Sequence, residues 1–327
     1  MRIALLPGDG IGPEVTTAAA RVLRELPLEL ELEEHPFGGA AIHATGDPLP
    51  RETLAACKAA DAVLMGAVGA PEFDRSEVRP EQGLIRLRGE LDVYANLRPA
   101  RGDGVDLLVV RELVGGLYYG ERGVREDGTV YDTMEYRPEQ VERIARRGFE
   151  IARGRRRHVT SVDKANILDT SRLWREVVER VAADYADVEL EHMLVDNCGL
   201  QLVLAPGRFD VILTENTFGD ILSDVAAGVT GGLGLAASAS LGDERPGIFE
   251  PVHGSAPDIA GKGIANPAAM LRSAALMLAY GLGEPGEAAE AARLEAAVDV
   301  ALETTPPSDL GGSATTSEFT DAVIASL

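Results

Sequence analysis

Two aspartates, Asp220 and Asp224, stand four residues apart in the run Phe218-Gly219-Asp220-Ile221-Leu222-Ser223-Asp224, at the expected start of a helix. Side chains at i and i+4 share a helix face, so both carboxylates can aim at one point. Carboxylates that close repel each other unless a cation lies between them. An oxygen-only site of this kind suits a hard divalent ion, Mg2+ or Mn2+. On spacing alone, a helix cap followed by a solvated acid fits equally well. The neighbourhood favours chemistry: residues 209–213 form an apolar run that reads as a buried strand, and residues 214–219 form a polar loop leading into the helix. Strand, loop and helix in that order are where α/β enzymes put their reacting groups.

Three arginines recur ahead of this segment: Arg88, Arg98 and Arg111, the last two at the edges of apolar runs. A guanidinium offers a planar fork to a carboxylate, so three that converge suit a di- or tricarboxylic acid. For any one of them, an ion pair with a nearby acid such as Glu90 or Glu112 is the simpler reading. Only Lys58, Lys164 and Lys262 among the basic residues are lysines. A lysine kept in an arginine-rich chain points to a need for an amine that can release its proton. The proline-punctuated loop Glu250-Pro251-Val252-His253-Gly254-Ser255-Ala256-Pro257-Asp258-Ile259 runs on to Asn266-Pro267. Loops of that length bind something. In it, His253 suits a nucleotide base and Asp258 the ribose hydroxyls, a carboxylate there favouring NAD over NADP.

These groups need a scaffold, and the sequence supplies one. Residues 2–6, 28–33, 62–65, 107–110, 158–162, 189–195 and 209–213 read as strands. Residues 13–25, 51–60, 138–153, 171–184, 220–227 and 267–280 read as helices. The alternation predicts an α/β protein with helices flanking a mostly parallel or mixed sheet. Residues 115–135 break that rhythm and read as a two-stranded projection, too small to stand alone and therefore expected to pack against a partner chain. Gly8-Asp9-Gly10-Ile11-Gly12-Pro13 follows a strand and opens a helix, but its glycine spacing departs from the dinucleotide fingerprint. A supporting cofactor role stays open, because glycine lets a backbone approach a ligand closely.

The chain has 327 residues, enough for a large core and one or two domains. Its formal net charge of −22 argues against nucleic acid and against anionic membrane surfaces. No apolar run has the length of a membrane span, and a cytoplasmic protein is expected. Cys57 and Cys198 are expected to be small buried hydrophobes.

At this point the motifs add up to a resemblance. Residues 6–12, Asn96-Leu97-Arg98-Pro99, Ser161-Val162-Asp163-Lys164-Ala165-Asn166, Asn216 with Phe218-Gly219-Asp220, the 250–258 loop and Asp309-Leu310-Gly311-Gly312 occur in one order along essentially the whole chain. In this the chain resembles the β-decarboxylating dehydrogenases of the isocitrate/isopropylmalate dehydrogenase superfamily. Arg111-Glu112-Leu113-Val114-Gly115-Gly116-Leu117-Tyr118 is similar to the form of the isopropylmalate branch. Leu84 and Ile85, preceded by Glu81, fall where that branch lines its isopropyl pocket.

The resemblance implies NAD-dependent oxidation of (2R,3S)-3-isopropylmalate to 4-methyl-2-oxopentanoate and CO2, in leucine biosynthesis. Other substrates of the superfamily, D-malate, tartrate or homoisocitrate, are the alternative, with an inactive regulatory subunit a remote one. It implies a fold that is not Rossmann, with two domains sharing a mixed twisted sheet: residues 1–93 plus 232–327 on the cofactor side, and 94–231 with the arm and the dimer interface. By position, Arg88, Arg98 and Arg111 would hold substrate carboxylates, with Asn166 and Asp220 also at the substrate. Asp196, Asp220 and Asp224 would bind Mg2+ or Mn2+; Lys164 would be the general base and Tyr118 the acid. His253, Gly254, Ser255, Ala256, Pro257, Asp258, Ile259 and Asn266 would receive NAD. Homodimers with intersubunit sites are implied, Lys164, Asn166 and Asp196 arriving from the second chain. One departure is the short segment between Arg98 and Arg111, read as a trimmed surface layer.

Overall fold

The computed structural model describes residues 1–282 and 285–327. The chain divides into two compact units, one of Met1–Val93 with Leu233–Leu327 and one of Tyr94–Gly232.

The first unit opens with β1 (Arg2–Gly8), α1 (Gly12–Glu25), β2 (Glu31–Glu34), α2 (Gly38–Thr45), α3 (Arg51–Ala59), β3 (Ala62–Ala67) and α4 (Pro80–Glu90). The central unit follows with β4 (Ala95–Gly102), β5 (Val105–Glu112), β6 (Arg122–Val124), β7 (Val130–Asp132), α5 (Pro138–Arg153), β8 (His158–Asp163), α6 (Asp169–Ala182), β9 (Glu189–Leu194), α7 (Val195–Leu204), β10 (Val211–Thr214) and α8 (Asn216–Val229). The chain then returns to the first unit through β11 (Ala237–Leu241), β12 (Gly247–Pro251), α9 (Ala268–Leu276), α10 (Pro285–Thr304) and α11 (Thr316–Ser326).

In the first unit the strand order is β2-β1-β3-β12-β11, all neighbours parallel except β11 against β12. In the central unit it is β4-β5-β10-β8-β9, parallel except for the β4–β5 hairpin. Every residue of β3 and β10 is buried, as expected of parallel strands covered on both faces. On α5 the buried positions are Val141, Ile144, Ala145, Gly148, Phe149 and Ala152. That i, i+3, i+4, i+7, i+8, i+11 spacing lays one apolar stripe on the sheet. Both cysteines are free and buried, and burial pushes their thiols up to about 12.

Three sequence expectations change. The helix carrying Asp220 begins at Asn216, so Asp220 sits inside its second turn. Residues 267–280 do not form one α-helix; α9 ends at Leu276 and Met277–Leu282 continue as a π-helical turn. The short segment between Arg98 and Arg111 is a tight hairpin turning at Asp103-Gly104, with Gly104 at φ +70. Asp-Gly between apolar strands is a direct hairpin signal. At Gly8, Gly10 and Gly12 the chain's own backbone at Ala67, Ser255 and Pro7 lies where a Cβ would stand, so each of these positions requires glycine. The projection is present as the β6–β7 ribbon, with Val124 paired to Val130 and both exposed. Among the described residues no helix is long and apolar enough to cross a membrane.

Candidate active site

In the central unit the charged groups gather on α8. Glu215 caps this helix, its carboxylate accepting from the backbone of Phe218 (2.6 Å) and Thr217 (3.0 Å). The next residue, Asn216, is a fully buried bracket: its Oδ1 accepts from Arg111 Nε (3.0 Å) and Nη2 (2.6 Å). Its Nδ2 donates to the carbonyls of Leu113 and Gly115, both at 3.0 Å. The bracket aims the buried guanidinium of Arg111 at Asp220, with which it pairs. Gly219 makes this possible, since a Cβ there would lie 2.6 Å from the Arg111 stem.

Arg98 comes from β4, donates to Asn96 Oδ1 (2.9 Å) and Ser223 Oγ (2.8 Å), and faces Asp220 at 3.2 Å and Asp224 at 3.5 Å. Glu90 bonds Lys58 (2.5 Å). Tyr118 donates its hydroxyl to Asp220 Oδ2 at 3.0 Å, its ring lying 5.7 Å from the Arg111 guanidinium. Burial first, then the adjacent Asp220 charge, raises the Tyr118 pKa. The phenol therefore keeps its proton at neutral pH, as an acid must.

Asp224 is also raised, by burial foremost and by repulsion from Asp220, against the pull of Arg98. Two oxygen donors that disfavour each other's charge fit a hard cation. Among the described residues no three His, Cys, Asp or Glu side chains form a metal-holding group. Within one chain Asp196 stands apart from the α8 pair, bonded at 2.5 Å to Lys164 Nζ. It occupies the first turn of α7, and Lys164 and Asn166 lie in the turn after β8.

In the other unit, α4 presents Glu81, Leu84, Ile85 and Arg88 along one helix face, while Gly83 and Leu87 face the core. Arg88 pairs with Glu250 at 2.8 Å. The loop after β12 follows, with Ser255 buried, Asp258 exposed and Ala256 at φ +39. Burial holds His253 below the usual histidine range, so its ring is neutral, with Nδ1 3.0 Å from the Gly254 carbonyl oxygen. Asn266 closes the loop by donating to Asp309 at 3.1 Å.

Sequence reasoning missed Glu215 as the cap, Asn216 as the bracket, and Ser223 and Glu250 as arginine partners. For the cap, an acid between a buried strand and a helix was the available signal. The arginine partners come from distant segments and leave no local trace.

An α/β fold with paired aspartates, two buried-edge arginines and a proton-holding tyrosine is an enzyme architecture for a polyanionic substrate. The chain belongs to the isocitrate/isopropylmalate dehydrogenase family, whose profile matches residues 2–323. It is 52% identical to the 3-isopropylmalate dehydrogenase of Zymomonas mobilis, with all of both chains covered. The solved isocitrate dehydrogenase of Methylococcus capsulatus superposes with a TM-score of 0.92 at 38% identity, covering 99% of this chain and 98% of that one. A β-decarboxylating dehydrogenase of Thermococcus kodakarensis, in its apo form, gives 0.85 at 39% identity, covering 99% and 95%.

Proposed function

We propose that this chain oxidises and decarboxylates (2R,3S)-3-isopropylmalate to 4-methyl-2-oxopentanoate and CO2, with NAD+ as hydride acceptor, as a cytoplasmic step of leucine biosynthesis. The observation that carries the substrate choice is the face of α4. There a guanidinium for a carboxylate (Arg88) lies one turn from two aliphatic side chains, Leu84 and Ile85. A hydroxy diacid with a branched alkyl substituent matches that pairing. The 52% identity to a named 3-isopropylmalate dehydrogenase supports the same reading.

Arg98 and Arg111 are held by Asn96, Asn216 and Ser223, so their forks are set before a substrate carboxylate arrives. Mg2+ or Mn2+ held by Asp220 and Asp224 supplies positive charge for the developing alkoxide and enolate. Lys164 would take the hydroxyl proton, and NAD+, which residues 253–266 would hold, would supply the acceptor for the C2 hydride. The carboxylate β to the new ketone departs as CO2, and Tyr118 delivers the proton that the carbon then needs. Asp258, exposed at the loop tip, accepts from the adenosine ribose and repels a 2′-phosphate.

An exposed apolar face of α7 supports a dimeric assembly. Leu200, Val203 and Leu204 are exposed on it, as is Ile221 on α8. Asp196, Leu200, Val203 and Leu204 are spaced i, i+4, i+7 and i+8, one helix face. A second copy covering this apolar face would bring its own Lys164, Asn166 and Asp196 to the Asp220–Asp224 pair, as a homodimer with shared sites.

Initial-rate kinetics across 3-isopropylmalate, D-malate, tartrate, homoisocitrate and isocitrate, each with NAD+ and NADP+, test the proposal. The highest kcat/KM is expected for 3-isopropylmalate with NAD+. A higher value for isocitrate, or for NADP+, overturns it.

A further inference from the structure

The Gly8-Asp9-Gly10-Ile11-Gly12 motif carries no role in the chemistry described above, yet several hydrogen bonds converge on it. The buried Asp9 carboxylate accepts three backbone N–H groups: Gly39 and Gly69 on Oδ2, and Ala40 on Oδ1, each at 3.0 Å. Its own N–H donates to Ala67 O at 2.9 Å. One carboxylate thus ties β1 to the start of α2 and to the turn after β3.

What the clamp holds still is a short segment that grips the 253–266 loop at both ends. Ile11 N donates to Ser255 O at 2.8 Å. Gly10, at φ +57, lets this happen, because a Cβ there would collide with the Ser255 carbonyl oxygen. One turn into α1, Glu14 Oε1 accepts from Ala265 N at 3.0 Å and from the hydroxyl of Thr316. That hydroxyl also approaches Ala265 O at 2.6 Å, and Thr316 N donates to Gly263 O at 2.9 Å. Between the two grips lies Ala256 at φ +39, a conformation that an L-residue keeps only where its surroundings enforce it.

We infer that the motif is the seat of the cofactor loop, and that Asp9 and Glu14 are positioning residues that set NAD+ affinity. The inference rests on the proposed NAD+ role of residues 253–266. A buried carboxylate that accepts several N–H groups contributes through charge-assisted bonds. An amide at position 9 would turn an N–H donor toward N–H donors. At position 14, glutamine keeps an acceptor oxygen and alanine does not.

The test is made on the full-length protein with Asp9→Asn, Glu14→Ala and Glu14→Gln. Three quantities are measured: amide hydrogen exchange across residues 253–266, NAD+ affinity by calorimetry, and KM and kcat for both substrates. Faster loop exchange is expected in Asp9→Asn and Glu14→Ala, with Kd and KM for NAD+ raised roughly 10- to 100-fold. The KM for 3-isopropylmalate and kcat at saturating NAD+ should stay within threefold, and Glu14→Gln should recover most of the affinity. If Asp9→Asn does not fold, the Glu14 pair decides alone. Unchanged NAD+ affinity in folded variants overturns the inference, whether or not loop exchange rises. So does a parallel loss in both substrates, which marks a general defect of the fold. A wild-type protein that binds no NAD+ refutes the functional reading instead, and unaltered loop exchange in the variants would then refute the seat.

Discussion

Helix α8 and the 253–266 loop serve the same proposed reaction but are held in opposite ways. On α8 the groups are fixed by side chains: Asn216 orients Arg111, Ser223 and Asn96 orient Arg98, and both arginines with Tyr118 engage Asp220. On the loop the fixing is done largely through backbone, by Ile11 N on Ser255 O and by Glu14 on Ala265 N. The difference matches the work each is assigned. Charge that must act on a reacting bond needs preset direction, whereas a surface that receives a nucleotide needs a preset shape. Substitutions on α8 should therefore remove chemistry with little change in ground-state binding, and those on the loop or on α4 should change which molecule binds.

The largest expected effect is Asp220→Asn. It removes a proposed metal carboxylate that both Arg98 and Arg111 engage, and kcat should fall on the order of a thousandfold. Chelation with EDTA should silence the wild-type protein, and Mg2+ or Mn2+ should restore it. Full turnover of metal-free protein would break the comparison on its charged side.

A smaller and more selective change is expected on α4. Leu84→Ser removes apolar area proposed to face the isopropyl group, worth about 1–3 kcal/mol, so kcat/KM for 3-isopropylmalate should drop roughly 10- to 100-fold with that for D-malate little altered. Equal losses for both would show that α4 does not select the side chain.

The smallest effect separates fold from chemistry within the central unit. Glu112, next to Arg111, is fully buried, and burial raises its carboxyl to about 7 against the pull of Val114 N–H, Arg143 and Tyr136. Its unfolded value is 4.5. Below that value both states hold the proton and Glu112 has no pH-dependent cost. Between 4.5 and 7 only the folded state holds it, so stability falls as pH rises, and above 7 the cost is complete. Glu112→Gln should thus gain thermal stability relative to wild type as pH climbs through that window. A constant difference in Tm would show that the group titrates normally.

Much of the site was legible because the chemistry-bearing residues come in local runs. Asp220 and Asp224 share a helix face whichever residue starts the helix, and the 250–259 loop announces itself through proline. Strands β1, β2, β3, β5, β8, β9 and β10 were legible in the sequence, β3 and β10 most clearly as apolar runs, whereas β4, β11 and β12 were not read as strands. What stayed hidden was long-range or ran against local cues. Helix α2 opens with Gly38-Gly39, poor helix formers whose conformation Asp9 fixes from β1. Helix α7 follows β9 without an intervening loop, so no turn signal marks it. The bracket at Asn216 depends on carbonyls of Leu113 and Gly115, about a hundred residues away.

Everything assigned to α8 depends on a base and a third carboxylate that the same chain carries elsewhere, on Lys164 and Asp196. Unfolding and refolding Asp220→Asn together with Lys164→Ala tests this most directly. Each homodimer lacks one needed group in both sites and should be nearly inactive. In a mixed dimer with shared sites, one site collects both lesions and the other is intact. Random pairing makes half the dimers mixed, so about a quarter of wild-type activity should return. No recovery, with mixed dimers demonstrated by mass, would contradict the shared site and return the chemistry to a single chain.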